Sequence, residues 1–344
     1  MTAIPRPRAP RFIDPAKAPR TVPPPFTGPW AATDRGLDSV DLFPLPSGHG
    51  PEDVCVDLAG RVVAGGEDGN IWRWMADAAP GDPPQLLANT GGRPLGIEVD
   101  KRDGSLIVCD AYRGLLRIAE DGEITDLASS AAGTPIVFCN NAAVANDGTI
   151  FFTDSSSKFN ISAWKRDILE HRPNGRLLSY RDGVVEVIAT GFYFPNGVAL
   201  TPDESALMLV EDSTHRLLKV PLATGAPEEL IDLPAYPDNM CDVGDGTYWI
   251  ALPSPRLPIV ERLLPFPALR KLANLLPDRL QPQPKRYSLV ALVDGEGNVL
   301  RSIHGPAGRY CMVTGVRQQG EFLWLGSLNE EAVARISLAK ETPA

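Results

Sequence analysis

Residues with hard oxygen donors stand at comparable places along this chain: Glu52, Asn140, Asn196 and Asp238, the last followed by Asn239. Each lies just before a short apolar run. Carboxylate and amide oxygens suit calcium or magnesium, whereas softer metals favour nitrogen and sulfur ligands. Two carboxylates also balance the charge of one divalent cation. If folding brings these five residues together, we expect them to hold a divalent metal: calcium first, with magnesium, manganese or zinc as alternatives.

A repeat in the sequence provides the means of bringing them together. Its unit is an apolar run, a turn built on Asp-Gly or an equivalent, and a second β-rich run, which predicts two strands joined by a tight hairpin. A further hairpin follows in most copies, and about four strands per copy are typical of a propeller blade. The copies span residues 53–65, 96–110, 141–154, 197–210, 239–251 and 314–326. Six copies predict an all-β fold, a six-bladed β-propeller.

A propeller turns this sequence register into a spatial cluster, because the inner strands of all blades surround one axis. Equivalent first positions then form a ring at one end of the central channel, and Leu95 and Thr314 complete it. Successive members of the ring are 43, 45, 56, 42 and 76 residues apart. The alternative for any single Asn or Asp is a hydrogen bond to its own backbone turn.

Side chains that flank the ring positions are candidates for a substrate pocket. Such pockets combine apolar walls with a few well-placed polar groups. The candidates are Leu95, Phe138, Asn141, Tyr193, Phe194, Tyr236, Tyr310 and Thr314. The alternative role of the aromatic residues is packing between blades.

Two of the spacings are enlarged by insertions, at residues 158–172 and 256–280. Leucines at roughly helical spacing, interrupted by prolines, predict short helices in the second insertion. Insertions into repeat folds often gather on the binding face, so we expect helices that cap the channel mouth. A surface decoration and a helix lying on a membrane surface are the alternatives. Residues 37–344 are therefore predicted to form one propeller, preceded by a proline-rich arm at 1–36 that is extended or disordered.

The composition excludes several classes of partner. The net charge of −10 argues against nucleic acid, which requires a clustered basic face. No run of roughly 18 apolar residues predicts a transmembrane segment, and the N-terminus lacks the apolar core of a secretory signal. Five cysteines without a CxxC pair indicate buried thiols in a reducing compartment, so we expect a cytoplasmic protein. The oligomeric state is not predicted.

Several segments, in order along residues 40–338, resemble the strictosidine synthase-like family. Animal relatives in that family include adipocyte plasma membrane-associated protein, and more distant kin are the senescence-marker/gluconolactonase group and the paraoxonases. The resemblance implies a six-bladed propeller and a calcium-type site on Glu52, Asn140, Asn196 and Asp238, with Asn239 beside it. The matching segments are Gly50–Val54, Gly92–Ile97, Phe151–Ser157, Arg172–Leu177, Phe194–Val198 and Tyr236–Met240.

Two departures from the family pattern restrict the chemistry that the resemblance implies. Thr314 aligns with the glutamate that strictosidine synthase uses in its condensation, so we do not expect that reaction here. Leu95 precedes Gly96-Ile97 where paraoxonases carry a catalytic histidine, so their mechanism is not expected either. The gluconolactonase relatives suggest that Asp238 handles the proton as well as the metal. His49 and His304 are further candidates for a general base.

These observations together predict a metal-dependent hydrolase that acts on a lactone or ester of a small molecule. Metals assist such reactions by polarising a carbonyl and activating water. Hydration or isomerisation of a small cyclic substrate is an alternative, because fold and metal do not fix the chemistry. A binding scaffold with a structural calcium is another.

Overall fold

The structure, a computed structural model, describes residues 9–32, 36–306 and 308–339. Six four-stranded antiparallel sheets surround a central axis, and the inner strand of each contacts the inner strands of its neighbours, with the last closing on the first. The predicted six-bladed propeller is confirmed. From the inner strand outwards, blade 1 consists of Val54–Val56, Val62–Gly65, Asn70–Trp74 and Gln85–Asn89. Blade 2 consists of Pro94–Val99, Leu106–Asp110, Gly114–Ile118 and Ile124–Ala128. Blade 3 consists of Cys139–Val144, Ile150–Asp154, Gly175–Arg181 and Val184–Phe192. In the same order, blade 4 consists of Pro195–Leu200, Ala206–Glu211, Arg216–Pro221 and Glu228–Asp232. Blade 5 consists of Met240–Asp242, Thr247–Ala251, Tyr287–Asp294 and Val299–Pro306. Blade 6 consists of Val313–Gln319, Phe322–Ser327, Ala332–Ser337 and Asp41–Pro44.

Blade 6 is built from both ends of the described chain. Its outer strand, Asp41–Pro44, comes before blade 1 in sequence and pairs antiparallel with Ala332–Ser337. Phe43 is fully buried in this blade, with its ring centroid 4.7 Å from that of Trp324. The propeller ring is therefore closed by strand pairing and by apolar packing.

The hydrophobic core lies between blades rather than along the axis. One cluster joins Ile107 and Leu115 of blade 2 to Phe152 and Leu178 of blade 3, and the other blade pairs are packed in the same way. All five cysteines are free and buried. The apolar outer face of each inner hairpin is thus covered by the next blade, which leaves the polar ends of the inner strands facing the channel.

Both predicted insertions form short helices. The first contains a 3₁₀ turn, Ile161–Ala163, and helix α1, Trp164–Glu170; the second contains α2, Pro258–Leu263, α3, Pro267–Leu275, and a 3₁₀ turn, Asp278–Leu280. Helix α1 packs on α3, and we call these helices the cap. None of the helices in the described ranges has the length and apolar character needed to cross a bilayer. Minor elements are 3₁₀ turns at Gly28–Trp30 and Gly36–Asp38 and two-stranded pairs at Ser130–Ala131 with Thr134–Pro135 and Ala235–Tyr236 with Ser254–Pro255.

The sequence predicted a proline-rich arm that is extended or disordered. The described residues of the arm are extended and pack against the cap. The Asp14 amide donates to Glu170 Oε2 at 2.8 Å, and the Ala18 amide donates to Leu264 O at 3.2 Å. Trp30 is buried in the core between blades 4 and 5. The alternative of a disordered arm is therefore corrected for residues 9–32; residues 1–8 lie outside the described part of the chain.

Candidate metal centre and its cavity

The ring residues stand where the inner strands depart from regular pairing. The strand register shifts between Cys139 and Ala142 in blade 3 and between Pro195 and Val198 in blade 4. Such bulges re-aim a side chain that would otherwise follow the alternation of the strand. Asn140 lies in the first irregularity and Asn196 in the second. In blades 1 and 5 the corresponding acids, Glu52 and Asp238, precede the inner strands at Val54–Val56 and Met240–Asp242.

Glycines next to the ring allow neighbouring blades to meet closely. A Cβ on Gly197 would lie 2.5 Å from Met240 N and 2.7 Å from Asp238 O, and the Gly197 amide donates to Asp238 O at 2.9 Å. A Cβ on Gly315 would lie 2.8 Å from Glu52 O. A larger residue at Gly197 would push blade 4 away from blade 5, which carries Asp238, and a larger residue at Gly315 would push blade 6 away from Glu52 of blade 1.

Hydrogen bonds fix the orientation of both ring amides. The Ser155 hydroxyl donates to Pro195 O at 2.7 Å, so its oxygen is available to accept from Asn140 Nδ2 at 2.8 Å. Asn196 Nδ2 donates to Asp238 Oδ1 at 2.7 Å. Because each NH₂ group is held on one side, the carbonyl oxygens of Asn140 and Asn196 must point the other way.

Among the residues that the structure describes, no hydrogen-bond partner faces these buried carbonyl oxygens and one buried carboxylate oxygen: Asn140 Oδ1, Asn196 Oδ1 and Glu52 Oε2. Buried polar atoms are nearly always satisfied, and three unsatisfied acceptors lining one cavity with Asp238 need a positive charge or donors from outside the chain. An all-oxygen donor set with two carboxylates fits a hard divalent cation. The described residues contain no group of three or more His, Cys, Asp or Glu side chains suited to a metal, so a cation here would depend on the two amides as well.

The electrostatics of the ring agree with this fit. Burial, followed by the nearby charge of Asp238, raises the pKa of Glu52 well above its usual range. Burial and then the Asp212 carboxylate raise the pKa of Asp238 in the same way. Both acids are less than a tenth exposed and repel each other when ionised. A bound dication would remove this penalty, because it offsets both negative charges.

A second layer beneath the ring holds it in place. Asn239 Nδ2 donates to Glu52 Oε1 at 2.9 Å, while Asn239 Oδ1 accepts from Asn141 Nδ2 at 2.9 Å. Asn141 Nδ2 also lies 3.3 Å from Asp53 Oδ2. The expectation that Asn239 is a ligand and Asn141 a pocket residue is therefore corrected: both amides bond within the protein, and Asn239 positions Glu52.

The ring opens into a cavity of about 540 Å³ between the propeller and the cap. Its apolar wall includes Leu95, Phe138 and Phe194, as expected, and Ile168 from helix α1. The rings of Phe138 and Phe194 meet edge to face with centroids 5.2 Å apart. Tyr236 also lines the cavity. The predicted cap over the channel mouth thus encloses the space in front of the ring.

Charged side chains in the wall were missed by the sequence analysis. Asp212 lies just beyond the second strand of blade 4, and burial, followed by the charge of Asp167, raises its pKa to about 8. Arg93 is buried, and its Nη1 donates to Gly50 O at 2.8 Å near Glu52. In the sequence, Asp212 belongs to an acidic pair at the end of an apolar strand, and Arg93 lies inside a segment that resembles the family. Neither residue occupies a ring position, so the repeat register did not predict either one.

The two candidate histidine bases lie in different surroundings, one in the cavity wall and one outside it. His49 is at the rim of the cavity, about half exposed, with Nε2 3.1 Å from Glu67 Oε2. His304 is buried outside the cavity, where its ring nitrogens bond the Tyr287 hydroxyl at 2.7 Å and Trp30 O at 3.1 Å. Both nitrogens of His304 are used in the blade 5 core, so its candidacy as a base is corrected.

The remaining pocket candidates also lie outside the cavity lining. The Tyr310 hydroxyl donates to Leu325 O at 2.9 Å inside blade 6, which is the packing role named as its alternative. Tyr193 packs its ring against His171, with centroids 5.1 Å apart. Thr314 is fully buried and its hydroxyl donates to Glu52 O at 2.6 Å. Thr314 therefore helps to hold Glu52 and does not contact the cavity.

Comparison with known proteins places this architecture. The strictosidine synthase profile matches residues 140–223, and the profile of the N-terminal part of strictosidine synthase-like proteins matches residues 28–74. Strictosidine synthase-like protein 6 of Arabidopsis thaliana is 35% identical over 319 residues, covering 91% of this chain and 85% of that protein. The chain belongs to the strictosidine synthase-like family. Another relative is the adipocyte plasma membrane-associated protein of Danio rerio, which is 33% identical over 284 residues and covers 76% of this chain and 68% of its own length.

Solved structures of lower sequence identity share the propeller. A gluconolactonase from Xanthomonas campestris superposes with a TM-score of 0.61 at 19% identity, over 94% of this chain and 98% of its own. Regucalcin from Agrobacterium tumefaciens, described as a calcium-binding protein, gives 0.58 at 14% identity, over 86% and 92%. At these identities the likeness establishes the fold of this strictosidine synthase-like chain.

Proposed function

We propose that this chain is a divalent-metal-dependent hydrolase of small lactones or esters, with calcium as its metal. The observation that carries the proposal concerns three buried oxygens, on Glu52, Asn140 and Asn196, that lack a partner in the described ranges. They lie beside Asp238 in the wall of a cavity of about 540 Å³. Gluconolactonase and calcium-binding regucalcin structures with the same fold support it.

Glu52, Asn140, Asn196 and Asp238 would hold the cation. When bound, it supplies Lewis acidity that polarises a substrate carbonyl and lowers the pKa of a water. Asp238, whose Oδ1 accepts from Asn196 Nδ2 at 2.7 Å, would take a proton from the attacking water and return it to the leaving alkoxide oxygen. Asn239 Nδ2 donates to Glu52 Oε1 at 2.9 Å, and the Ser155 hydroxyl oxygen accepts from Asn140 Nδ2 at 2.8 Å. These two hydrogen bonds keep Glu52 and Asn140 oriented.

The cavity walls favour a substrate with an apolar portion and at least one polar group. Phe138 and Phe194 offer an edge-to-face aromatic surface next to Leu95. Burial raises the pKa of Asp212 to about 8, and in its protonated form this carboxyl would donate a hydrogen bond to a substrate oxygen. Arg93 attracts an anionic or carbonyl oxygen from the side of Glu52. Together these groups orient the ring of a lactone with its carbonyl toward the four ligands.

Strictosidine-type condensation is not part of the proposal. Thr314 bonds a backbone carbonyl and carries no carboxylate, and it is fully buried away from the cavity. The general base needed for a condensation with an amine is therefore missing at that place.

The test is turnover of a panel of aliphatic and aromatic lactones and aryl esters, before and after chelation. We expect hydrolysis of at least one class, loss with chelator, and recovery when calcium is added back. Asp238→Asn should reduce this turnover by about 100-fold or more with the fold retained. A metal-loaded protein that hydrolyses no member of the panel, or chelator-resistant hydrolysis, would contradict the proposal.

A binding scaffold with a structural cation is the second candidate. The four prospective ligands come from blades 1, 3, 4 and 5, so a cation would cross-link much of the propeller. This role predicts a large fall in melting temperature on chelation without turnover at any substrate, a result that separates it from the hydrolase.

A further inference from the structure

The surface of the cap is apolar to an extent not found elsewhere on the described chain. Of the sixteen exposed large apolar side chains in the described ranges, seven fall within residues 259–280. Those that begin one residue before helix α3 and continue past its end, which we call the apolar cap surface, are Phe266, Leu269, Leu272, Leu275, Leu276 and Leu280, each 38–61% exposed. Apart from Ile259 in the same insertion and Phe12 on the arm, the others are scattered singly, which is ordinary for a protein surface. A contiguous patch marks an interaction site.

Helix α3, Pro267–Leu275, has the reverse of the polarity expected for a helix that packs on a globular protein. Leu269, Leu272 and Leu275 recur on its exposed side, whereas Arg270 is buried on the inner side. The Arg270 guanidinium donates to Leu169 O and Glu170 O at 3.1 Å and to Leu264 O at 3.0 Å. Backbone carbonyls of the cap thus accept from both Nη groups of the inward arginine, while its Nε has no partner in the described part of the chain, and the helix is held with its leucines turned outward.

Charge distinguishes this segment from the rest of the chain. Residues 256–286 contain seven Lys or Arg against two Asp or Glu, within a chain of net charge −10. One of the two acids, Glu261, is buried, and the other, Asp278, pairs with Lys165 at 2.8 Å. Of the seven cations, Arg256 and Arg270 are buried and Lys271 pairs with Asp14 at 3.3 Å. Arg262, Arg279 and Lys285 are exposed in the same segment as the exposed leucines.

The proline-rich arm extends the same surface. Asn274 Nδ2 on α3 donates to Arg11 O at 3.1 Å, and the neighbouring Phe12 is 66% exposed. An apolar face bordered by Lys and Arg is the composition of helices that lie in the interface of an anionic bilayer. A protein partner would need matching acidic and apolar groups, for which nothing in this chain argues.

We propose that the apolar cap surface docks this protein onto an anionic lipid surface, with the leucines of α3 entering the headgroup region and the surrounding cations contacting the lipid charges. The same insertion lines the cavity through Leu257, Val260 and Pro282. Docking therefore places the cavity next to the lipid phase, from which apolar molecules can enter it. The inference is independent of whether the ring residues catalyse hydrolysis.

The experiment is co-sedimentation of the full-length protein with phosphatidylcholine vesicles containing about 30% phosphatidylglycerol, compared with phosphatidylcholine alone. We expect binding to the anionic vesicles that weakens with added salt. The pair Leu272→Gln and Leu275→Gln should lower the partition coefficient roughly tenfold or more. Arg262→Gln with Arg279→Gln should reduce the preference for anionic lipid.

The matched control is Leu86→Gln with Leu300→Gln, because these leucines are 55% and 54% exposed on outer strands of blades 1 and 5. This control should bind vesicles as the wild type does, and circular dichroism should show all variants folded. Absence of vesicle binding by the folded wild type would overturn the proposal, as would equal loss in both leucine pairs. If the wild type does not bind vesicles but is a dimer, and only Leu272→Gln with Leu275→Gln makes it a monomer, the surface would instead belong to an interface with a second copy of the chain.

Discussion

Replacing Ser155 by alanine tests whether the ring amides are pre-oriented for a cation. The side chain of Ser155 is fully buried, accepts from Asn140 Nδ2 at 2.8 Å and donates to Pro195 O at 2.7 Å. The substitution leaves the Asn140 amide without its orienting partner and Pro195 O without a donor. Unsatisfied buried groups cost about 1–3 kcal/mol each, so we expect a lower free energy of unfolding. Outer groups that orient a ligand typically change metal affinity about 10–100-fold, and we expect calcium affinity to fall within that range.

Ser156→Ala is the matched control, because the neighbouring serine is equally buried but bonds away from the ring, to Asp167 Oδ2 at 2.5 Å. It should lose a similar amount of stability while its calcium affinity stays that of the wild type. Affinity is measured by competition with a calcium-binding dye, and stability by urea unfolding of the chelated protein. Equal calcium affinity in Ser155→Ala and the wild type, or an equal loss in both variants, would refute the reasoning.

Other variants test the remaining roles. Asp238→Asn should reduce turnover by about 100-fold or more while the melting temperature of the chelated protein is kept or raised, as assayed by lactone hydrolysis and differential scanning fluorimetry. Asp212→Asn should gain stability relative to wild type between pH 5 and pH 8, because the pKa of Asp212 is raised from 3.8 to about 8 in the folded protein. In that window Asp212 is ionised in the unfolded chain but protonated in the folded protein, so wild-type stability falls as pH rises, by at most about 1.4 kcal/mol per pH unit. If the difference in free energy of unfolding between the variant and the wild type does not change with pH in urea unfolding, this role is excluded. His304→Gln should lower stability through its lost contacts to Tyr287 and Trp30 but leave KM and kcat unchanged.

The sequence register predicted the ring well because radial symmetry relates chain position to space. Glu52, Asn140, Asn196 and Asp238 all border one cavity, although the first and last are separated by nearly 190 residues in a sequence with no long-range signal other than the repeat. The repeat cannot tell which neighbour of a ring residue faces the cavity. Asn239 and Asn141 follow ring positions in sequence, but the irregular strand starts turn both into the layer below.

The positions of residues outside the repeat register could not be predicted from the repeat. Asp212 comes from the far end of a second strand, and its approach to the cavity depends on blade twist and on the cap. Tyr310 and His304 are close to Thr314 in sequence, yet both point into blade cores where their polar atoms are fully used. Proline content indicated an arm that is extended or disordered, and the packing that orders it depends on cap residues such as Arg270, which donates to a carbonyl of the arm.

Calorimetric titration of calcium into chelator-stripped protein tests the central claim most directly. Convergence of four oxygen-donor side chains from separate blades predicts one site per chain, removed by Glu52→Gln and by Asn196→Leu but retained in His304→Gln. Failure of the wild-type protein to bind calcium, magnesium or manganese, or unchanged binding in the Glu52 and Asn196 variants, would contradict it.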